Sequence, residues 1–220
     1  MRHALLSAAV AALTLVACSR APAPSAVAPT GPTAAAPTVA STPPAAAPAA
    51  TLDLEVVRKA ALEVVAALKA RDTATVARYA HPTQGVRFSP YAFVDPKTDQ
   101  VWKAEELAGW FADTQTRVWG TEDGTGFDIE RTPTAYYERF VFPKDFTTGA
   151  TVSVNDDQAR GNSINNAAQV YPDGVRVEFY LPPTQTPEGP NIDWRALRLV
   201  FVDVAGQPKL VAVIHDQWTI

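Results

Sequence analysis

The chain has 220 residues and a formal net charge of −4, and all 23 of its acidic side chains lie beyond residue 51. This acidic balance makes that part of the chain a poor partner for nucleic acid or for an anionic membrane surface. The only cysteine, Cys18, excludes an intrachain disulfide. Only two histidines lie beyond residue 51. We therefore expect no metal site built from cysteine or histidine ligands, and we expect no cofactor.

The first 18 residues are typical of an export signal. Residues 1–17 are predicted to form a signal peptide, in which Arg2 and His3 precede an uncharged apolar run too short to span a bilayer comfortably. The run ends in the letters LVAC, which resemble the lipobox of bacterial lipoproteins. The resemblance implies cleavage before Cys18 and attachment of acyl chains to its sulfur and its new amino group. An ordinary signal peptide with an incidental cysteine is the alternative.

Lipidation at Cys18 predicts a location for the protein. Each buried methylene of an acyl chain contributes about 0.8 kcal/mol, and more than one chain makes attachment stable. Ser19 stands where lipoproteins retained in the inner membrane carry Asp. We therefore expect a lipid-anchored protein of the cell envelope, in the outer membrane facing the periplasm if the cell has one.

Residues 18–50 are predicted to comprise the lipidated cysteine and a linker. Eight prolines and thirteen alanines lie in residues 19–50 and favour extended polyproline II over helix. At about 3.1 Å per residue, such a tether reaches roughly 100 Å. A proline-rich ligand for another protein is the alternative, although only Arg20 supplies a basic flank.

Helix signals open the domain predicted for residues 51–220. Apolar residues recur at three- and four-residue spacing from Leu54 to Leu68, which indicates an amphipathic helix with Asp53 as N-cap. Asp72 can cap a second helix that Pro82 ends. Two further helices are predicted, one with Leu107, Trp110, Phe111 and Thr114 on one stripe, and a short one over residues 134–142.

Strand signals dominate the rest of the domain. Alternating apolar residues predict strands over residues 85–91, 151–154 and 175–181, whereas 119–126 and 160–166 are predicted loops. Two β-branched runs flank the turn AGQP and predict a final β-hairpin. Helices followed by antiparallel strands indicate an α+β fold, a curved sheet wrapped over helices.

This order of elements resembles the NTF2-like superfamily of cone-shaped α+β domains. The likeness covers residues 51–220. More narrowly, the chain resembles a family of uncharacterised bacterial envelope lipoproteins. It is carried by HPTQGVRFSPY at 81–91, WG at 119–120 with DG at 123–124, GNS at 161–163, DW at 193–194 and HDQWTI at 215–220. The resemblance implies a fold and an envelope setting, and it transfers no catalytic residue.

The last strand carries the strongest candidate for chemistry. Neighbouring residues of a strand point to opposite faces, so His215 and Asp216 cannot form a simple pair. If Ile214 and Asp216 share one face, His215 lies on the other with Val211 and Val213. A histidine in that position is either a hydrogen-bonded core residue or, in an open site, the acid/base of an enzyme.

Polar residues on several strands are candidates to line a pocket, because the NTF2-like resemblance implies a pocket in the concavity of the sheet. The pocket candidates are Arg87, Tyr91, Glu178, Arg198, His215 and Trp218. An arginine in the pocket would orient a carboxylate or phosphate through bidentate contacts. The alternative is that these charges face solvent.

Other polar motifs have simpler interpretations. His81 before Pro82 suits interaction with a helix C-terminus better than ligand binding. The sequence GNSIN at 161–165 lacks the last glycine of a nucleophile elbow and is interpreted as a polar turn. The acidic residues at 122, 123, 128 and 130 could bind Ca²⁺, but their spacing does not fit an EF-hand and favours a solvated loop.

Three functions follow from these observations. The favoured one is an envelope protein that binds a small molecule, a wall component or a partner protein without catalysis. The alternative is a pocket enzyme of hydrolase or isomerase type with His215 as acid/base. The third is a structural module, including a homodimer formed through the face of the sheet.

Overall fold

The computed structural model describes residues 52–219. The predictions for the signal peptide, Cys18 and the linker lie outside the described residues. Within residues 52–219, no helix has both the length and the apolar content needed to cross a bilayer.

Helices lie mostly in the first half of the domain. They are α1 (Leu54–Ala70), α2 (Thr73–Tyr79), α3 (Ala104–Leu107), α4 (Pro133–Tyr136) and α5 (Ala167–Val170). The predicted caps are confirmed, because Asp53 accepts the N–H of Glu55 and Asp72 accepts that of Thr75. Arg71 ends α1 in the left-handed conformation, with φ of 55°.

The strands form one large sheet and two small hairpins. They are β1 (Val86–Ser89), β2 (Gln100–Trp102), β3 (Arg117–Thr121), β4 (Asp128–Arg131), β5 (Thr151–Val154), β6 (Val175–Leu181), β7 (Gln185–Thr186), β8 (Gly189–Pro190), β9 (Arg195–Val204) and β10 (Gln207–Gln217). The large sheet has the order β2-β1-β10-β9-β6-β5. Only the β1–β10 pair is parallel. The α+β class, with a curved, open and mostly antiparallel sheet, is confirmed.

The predicted final hairpin lies at the centre of this sheet. β9 and β10 are joined by a turn at Ala205 and Gly206, which both have positive φ. One face of the hairpin packs in the main core with α1, through residues such as Leu197, Leu199 and Val213. This burial is why the two strands are apolar along most of their length.

The second face of the sheet is covered by two segments, the loop 90–99 and residues 156–174, which include α5. Val94 and Ala167 pack with Val200, Ala212 and Ile214 in a smaller apolar cluster. The Asn166 side chain fixes the two segments to each other, because it accepts the N–H of Val94 and donates to the carbonyl of the same residue. Both faces of the central strands are therefore buried.

The structure corrects three sequence predictions. Residues 119–121 were predicted as loop but lie in β3, where an irregular register beside Gly120 hides the strand alternation. The predicted third helix is interrupted at Gly109 and continues as a 3₁₀ turn, Trp110–Ala112. In β10 a bulge next to Val211 turns this residue to the second face, so only Val213 shares the face of His215.

Candidate functional site

The space between the helices and the sheet is filled by aromatic side chains. Trp119 and Tyr136 are stacked with ring centroids 3.9 Å apart, and Trp102 lies parallel to Trp119 at 5.9 Å. A cavity beside Trp110 has a volume of about 20 Å³, the space of one water molecule. This side of the sheet packs as an apolar core.

His215 lies in that core and is fully buried, at 0 % exposure. Its Nε2 lies 3.3 Å from Gln217 Oε1, its ring packs edge-on to Phe140, and its Nδ1 is buried without a hydrogen-bond partner among residues 52–219. Burial, together with the charges of Arg195 and Arg139, lowers the pKa of His215 to about 3. The imidazole is therefore neutral at neutral pH, and this geometry gives no support to an acid/base role.

The charged candidates of the second sheet face form one buried array. Glu178 Oε2 lies 2.7 Å from Arg198 Nε, and Arg198 Nη2 donates to Asp216 Oδ2 at 2.9 Å. Arg160 adds a fourth charge, with its Nη2 2.7 Å from Glu178 Oε1. Burial raises the pKa of Asp216 to about 6. The four charges neutralise one another, so the array ties the loop carrying Arg160 to the sheet.

The six predicted pocket residues do not meet in one site. Glu178 and Arg198 contact each other on the second face, while His215 projects from the first. Arg87 donates from Nη1 to the carbonyl oxygens of residues 95, 96 and 99 and so holds the 90–99 loop on β1. Trp218 is half-buried after the end of β10. Tyr91 lines an open cleft.

The two histidines of the domain are also separate. His81 Nδ1 accepts the N–H groups of Thr83 and Gln84, which closes the turn after α2. Its backbone N–H bonds to Leu210, five residues before His215 on β10. Within residues 52–219 no three His, Cys, Asp or Glu side chains are arranged to hold a metal ion.

The largest opening described on the domain is a cleft of about 710 Å³ between three segments. The segments are the loop 90–99, residues 120–126 from the end of β3 into the β3–β4 turn, and the loop 162–164, and Thr219 completes the wall. The polar lining consists of Asp95, Thr98, Asp99, Thr121, Glu122, Asp123, Thr125, Asn162, Ser163 and Thr219. Four of these side chains are carboxylic acids, and the lining contains neither Lys nor Arg.

Asp99 is the most buried of the four acids, at 8 % exposure. The Ser89 hydroxyl donates to its Oδ2 at 2.5 Å, and the Asp95 N–H donates to the same oxygen at 2.9 Å. Burial raises the pKa of Asp99 to about 6. Its other oxygen, Oδ1, lies 3.7 Å from the point where a Cβ on Gly120 would stand. Gly120 has φ of 127°, a backbone conformation that favours glycine, and its lack of a side chain leaves the space between Pro90 and Asp99 Oδ1 unfilled.

Glu122 is held by a different set of contacts. The Tyr91 hydroxyl donates to its Oε2 at 2.7 Å, and its Oε1 lies 3.8 Å from Arg131 Nη2. Burial, with the Glu122 hydrogen bond, raises the pKa of Tyr91 to about 12. Tyr91 therefore stays a neutral donor at neutral pH.

The 162–164 loop closes the cleft near the end of β10. Ser163 Oγ lies 3.1 Å from Thr219 Oγ1, and Gly161 packs on Trp194, where a Cβ would come within 2.9 Å of the indole. This agrees with the interpretation of GNSIN as a polar turn. Sequence reasoning singled out Tyr91 but missed Asp99, because DPKTD at 95–99 has the pattern of any exposed acidic turn.

Comparisons with known proteins add a distant structural neighbour. No family model matches the chain, and no curated protein matches it. Among solved structures, a DUF4783 family protein from Bacteroides ovatus ATCC 8483 aligns over 72 % of this chain and 94 % of its own, at 11 % identity and a TM-score of 0.27. A likeness at this level carries no argument about fold or function.

Proposed function

We propose that this protein is a lipid-anchored envelope protein whose domain binds a cationic ligand in the acidic cleft, without catalysis. The observation that carries the proposal is a cleft of about 710 Å³ lined by four carboxylic acids and by no basic side chain. This volume is in the range of small-molecule sites, about 300–1,000 Å³. Clustered charge of one sign in a concave surface raises the local concentration of oppositely charged ligands.

The enzyme alternative has less support. It requires His215 to titrate near neutral pH and to reach a substrate, and the side chain is fully buried with a pKa of about 3. Binding requires only an accessible surface of suitable charge, which the cleft provides.

We also infer that residues 51–220 are a divergent NTF2-like cone. The inference is supported by chain order, because α1, α2, the β1–β2 hairpin and α3 all precede the long antiparallel strands. The helices α1 and α2 contact β10, as expected of helices that cover a curved sheet. The filled interior then explains why a ligand would use the cleft at the loops.

The anchor gives the first test. Cys18→Ser removes the only thiol that can be acylated, so the mutant protein is expected to leave the membrane fraction because the acyl chains supply the attachment. Cell fractionation followed by immunoblotting of wild type and mutant measures the effect. Sedimentation of the mutant with membranes at the wild-type level would refute the anchor.

The charge of the cleft gives the second test. We expect the full-length protein to bind a lysine pentapeptide and not a glutamate pentapeptide, with affinity that falls as salt rises. Asp123→Asn should weaken lysine-peptide binding about two- to threefold, in line with the small contribution of an exposed charge. The asparagine keeps the acceptor for the Gly124 N–H. Calorimetric titration measures both effects.

Glu188→Gln is the matched control, because Glu188 is an exposed carboxylate in the β7–β8 turn and does not line the cleft. It should bind the lysine pentapeptide like wild type. If the wild-type protein does not bind this peptide, or binds the glutamate peptide equally well, the proposed cation site is wrong.

A further inference from the structure

Asp99 differs from the other acids of the cleft because it is buried and still has one carboxylate oxygen without a hydrogen bond. Ser89 and the Asp95 N–H both donate to Oδ2, and among the described residues Oδ1 receives no hydrogen bond. The residue is 8 % exposed, and Oδ1 lies toward Gly120, another lining residue. A fixed acceptor oxygen on a largely buried residue therefore faces the cleft.

The other acids are weaker anchors for a charged group. Glu122 has both oxygens engaged, by Tyr91 and Arg131. Asp95 and Asp123 are more exposed and accept backbone N–H groups of their own loops. Exposed charges are screened by water and salt, so the strongest attraction in the cleft is expected at Asp99 Oδ1.

The number of free oxygens selects the kind of cation. A guanidinium group binds best when two parallel N–H groups meet both oxygens of a carboxylate. Asp99 offers one oxygen, so it cannot give that bidentate contact. An ammonium group is a compact point charge that needs one strong acceptor and fills its remaining N–H groups with hydroxyl or carbonyl oxygens. Thr98 and Thr121 line the same cleft and carry such hydroxyls.

We propose that Asp99 Oδ1 binds a primary ammonium group on an alkyl chain, as in a lysine side chain or a free alkylamine, in preference to a guanidinium group. The proposal rests on the proposed function and names the ligand chemistry of the same cleft. Phe93 and Ile164 line the cleft and are exposed, at 50 % and 69 %. They can pack on the methylenes of the alkyl chain while its charged end reaches Asp99.

Asp99→Asn separates this contact from the fold. The asparagine carbonyl can accept from Ser89 and Asp95 as Oδ2 does now, while the amide group takes the place of Oδ1 and presents N–H donors to the cleft. The substitution thus removes the acceptor for an ammonium group and keeps the contacts that hold the 90–99 loop. Circular dichroism and the thermal midpoint, compared with those of Glu188→Gln, check that the variant folds.

The experiment titrates the full-length protein with lysine, arginine and norleucine pentapeptides and with 1-aminopentane. For wild type we expect the lysine peptide to bind about tenfold or more tightly than the arginine peptide, and the norleucine peptide not to bind. Asp99→Asn should weaken lysine-peptide binding by about tenfold or more and remove the preference over arginine. Competition by 1-aminopentane distinguishes a free amine from a peptide as the source of the ammonium group.

The outcomes separate the two proposals. If no cationic peptide binds wild type, the cation site itself is wrong. If lysine and arginine peptides bind equally, or a folded Asp99→Asn protein binds the lysine peptide like wild type, the acidic cleft stands and the ammonium contact at Asp99 is overturned. Failure of 1-aminopentane to compete, with the lysine preference intact, assigns the site to lysine-containing chains.

Discussion

Replacing Arg198 by Met is expected to lower the free energy of unfolding by about 3–5 kcal/mol, because it leaves the buried carboxylate of Asp216 without a cation and removes one of the two cations beside Glu178. Arg198 is 1 % exposed and lies between Glu178 and Asp216, with N–O distances of 2.7 and 2.9 Å. Methionine fills much of the same volume, so the decrease in the free energy of unfolding comes more from the lost charge than from lost packing. Arg160 still pairs with Glu178, which leaves Asp216 as the group without a partner.

Urea denaturation followed by circular dichroism measures this loss. Lys69→Met is the matched control, because Lys69 forms an exposed ion pair with Asp145 at 2.7 Å and such pairs contribute only about 0–1 kcal/mol. The described role of the buried array would be contradicted if Arg198→Met cost no more than Lys69→Met. Adding Asp216→Asn to Arg198→Met should restore part of the stability, since it removes the unpaired charge.

His215→Gln is expected to make the protein more resistant to acid. The pKa of His215 is lowered to about 3 from 6.5 in the folded protein, so below pH 6.5 the unfolded chain takes up a proton that the folded protein does not. The free energy of unfolding of wild type therefore falls by up to about 1.4 kcal/mol for each unit of pH between pH 6.5 and about 3. Glutamine cannot titrate, and its amide can reach Gln217 Oε1 as Nε2 does now.

The sign for the buried aspartates is opposite. Asp99 and Asp216 have pKa values raised to about 6, so between pH 6 and 4 the folded protein binds protons more readily than the unfolded chain and acid stabilises it. Both residues are present in wild type and in His215→Gln, so their contribution cancels in the difference between the two proteins. That difference isolates the histidine.

The measurement is the free energy of unfolding of both proteins from pH 8 to pH 4. At pH 8 the imidazole is neutral in both states, and the difference between the proteins reports packing alone. As the pH falls from 6.5 to 4, the free energy of unfolding of the mutant should rise relative to that of wild type by about 3 kcal/mol in total. Parallel pH profiles would show that His215 is not held neutral in the fold and would reopen its acid/base role.

The helix starts and the central hairpin could be predicted from the sequence because their causes are local. Asp53 and Asp72 cap α1 and α2 through N–H groups two and three residues away. The β9–β10 hairpin follows from two apolar runs around a glycine turn. Their apolar character predicts cover on at least one face, and the structure buries both. The hairpin of β3 and β4 was missed because Gly120 and an irregular register break its two-residue period.

The prediction of site residues succeeded where a side chain's position depends on its sequence neighbours. It failed where the position depends on contacts with residues far away in the sequence. Alternation along β10 places His215 and Asp216 on opposite faces, as predicted. It does not reveal the bulge beside Val211, because a bulge depends on how β9 pairs with β10. Nor does it reveal that Arg198 finds Asp216 eighteen residues along the chain.

The sequence by itself determined the acidic character of the domain, its α+β class, the caps of its first helices and its central hairpin, since each depends on composition or on neighbours a few residues apart. Only the tertiary structure decided which acidic side chains line the cleft and which of them is buried. The cleft joins residues 90–99, 120–126 and 162–164, and Asp99 gains its burial and its single free oxygen from Ser89 on β1 and from the loop around it. Burial and hydrogen-bond partners depend on contacts between distant segments, and these depend on how the whole chain packs.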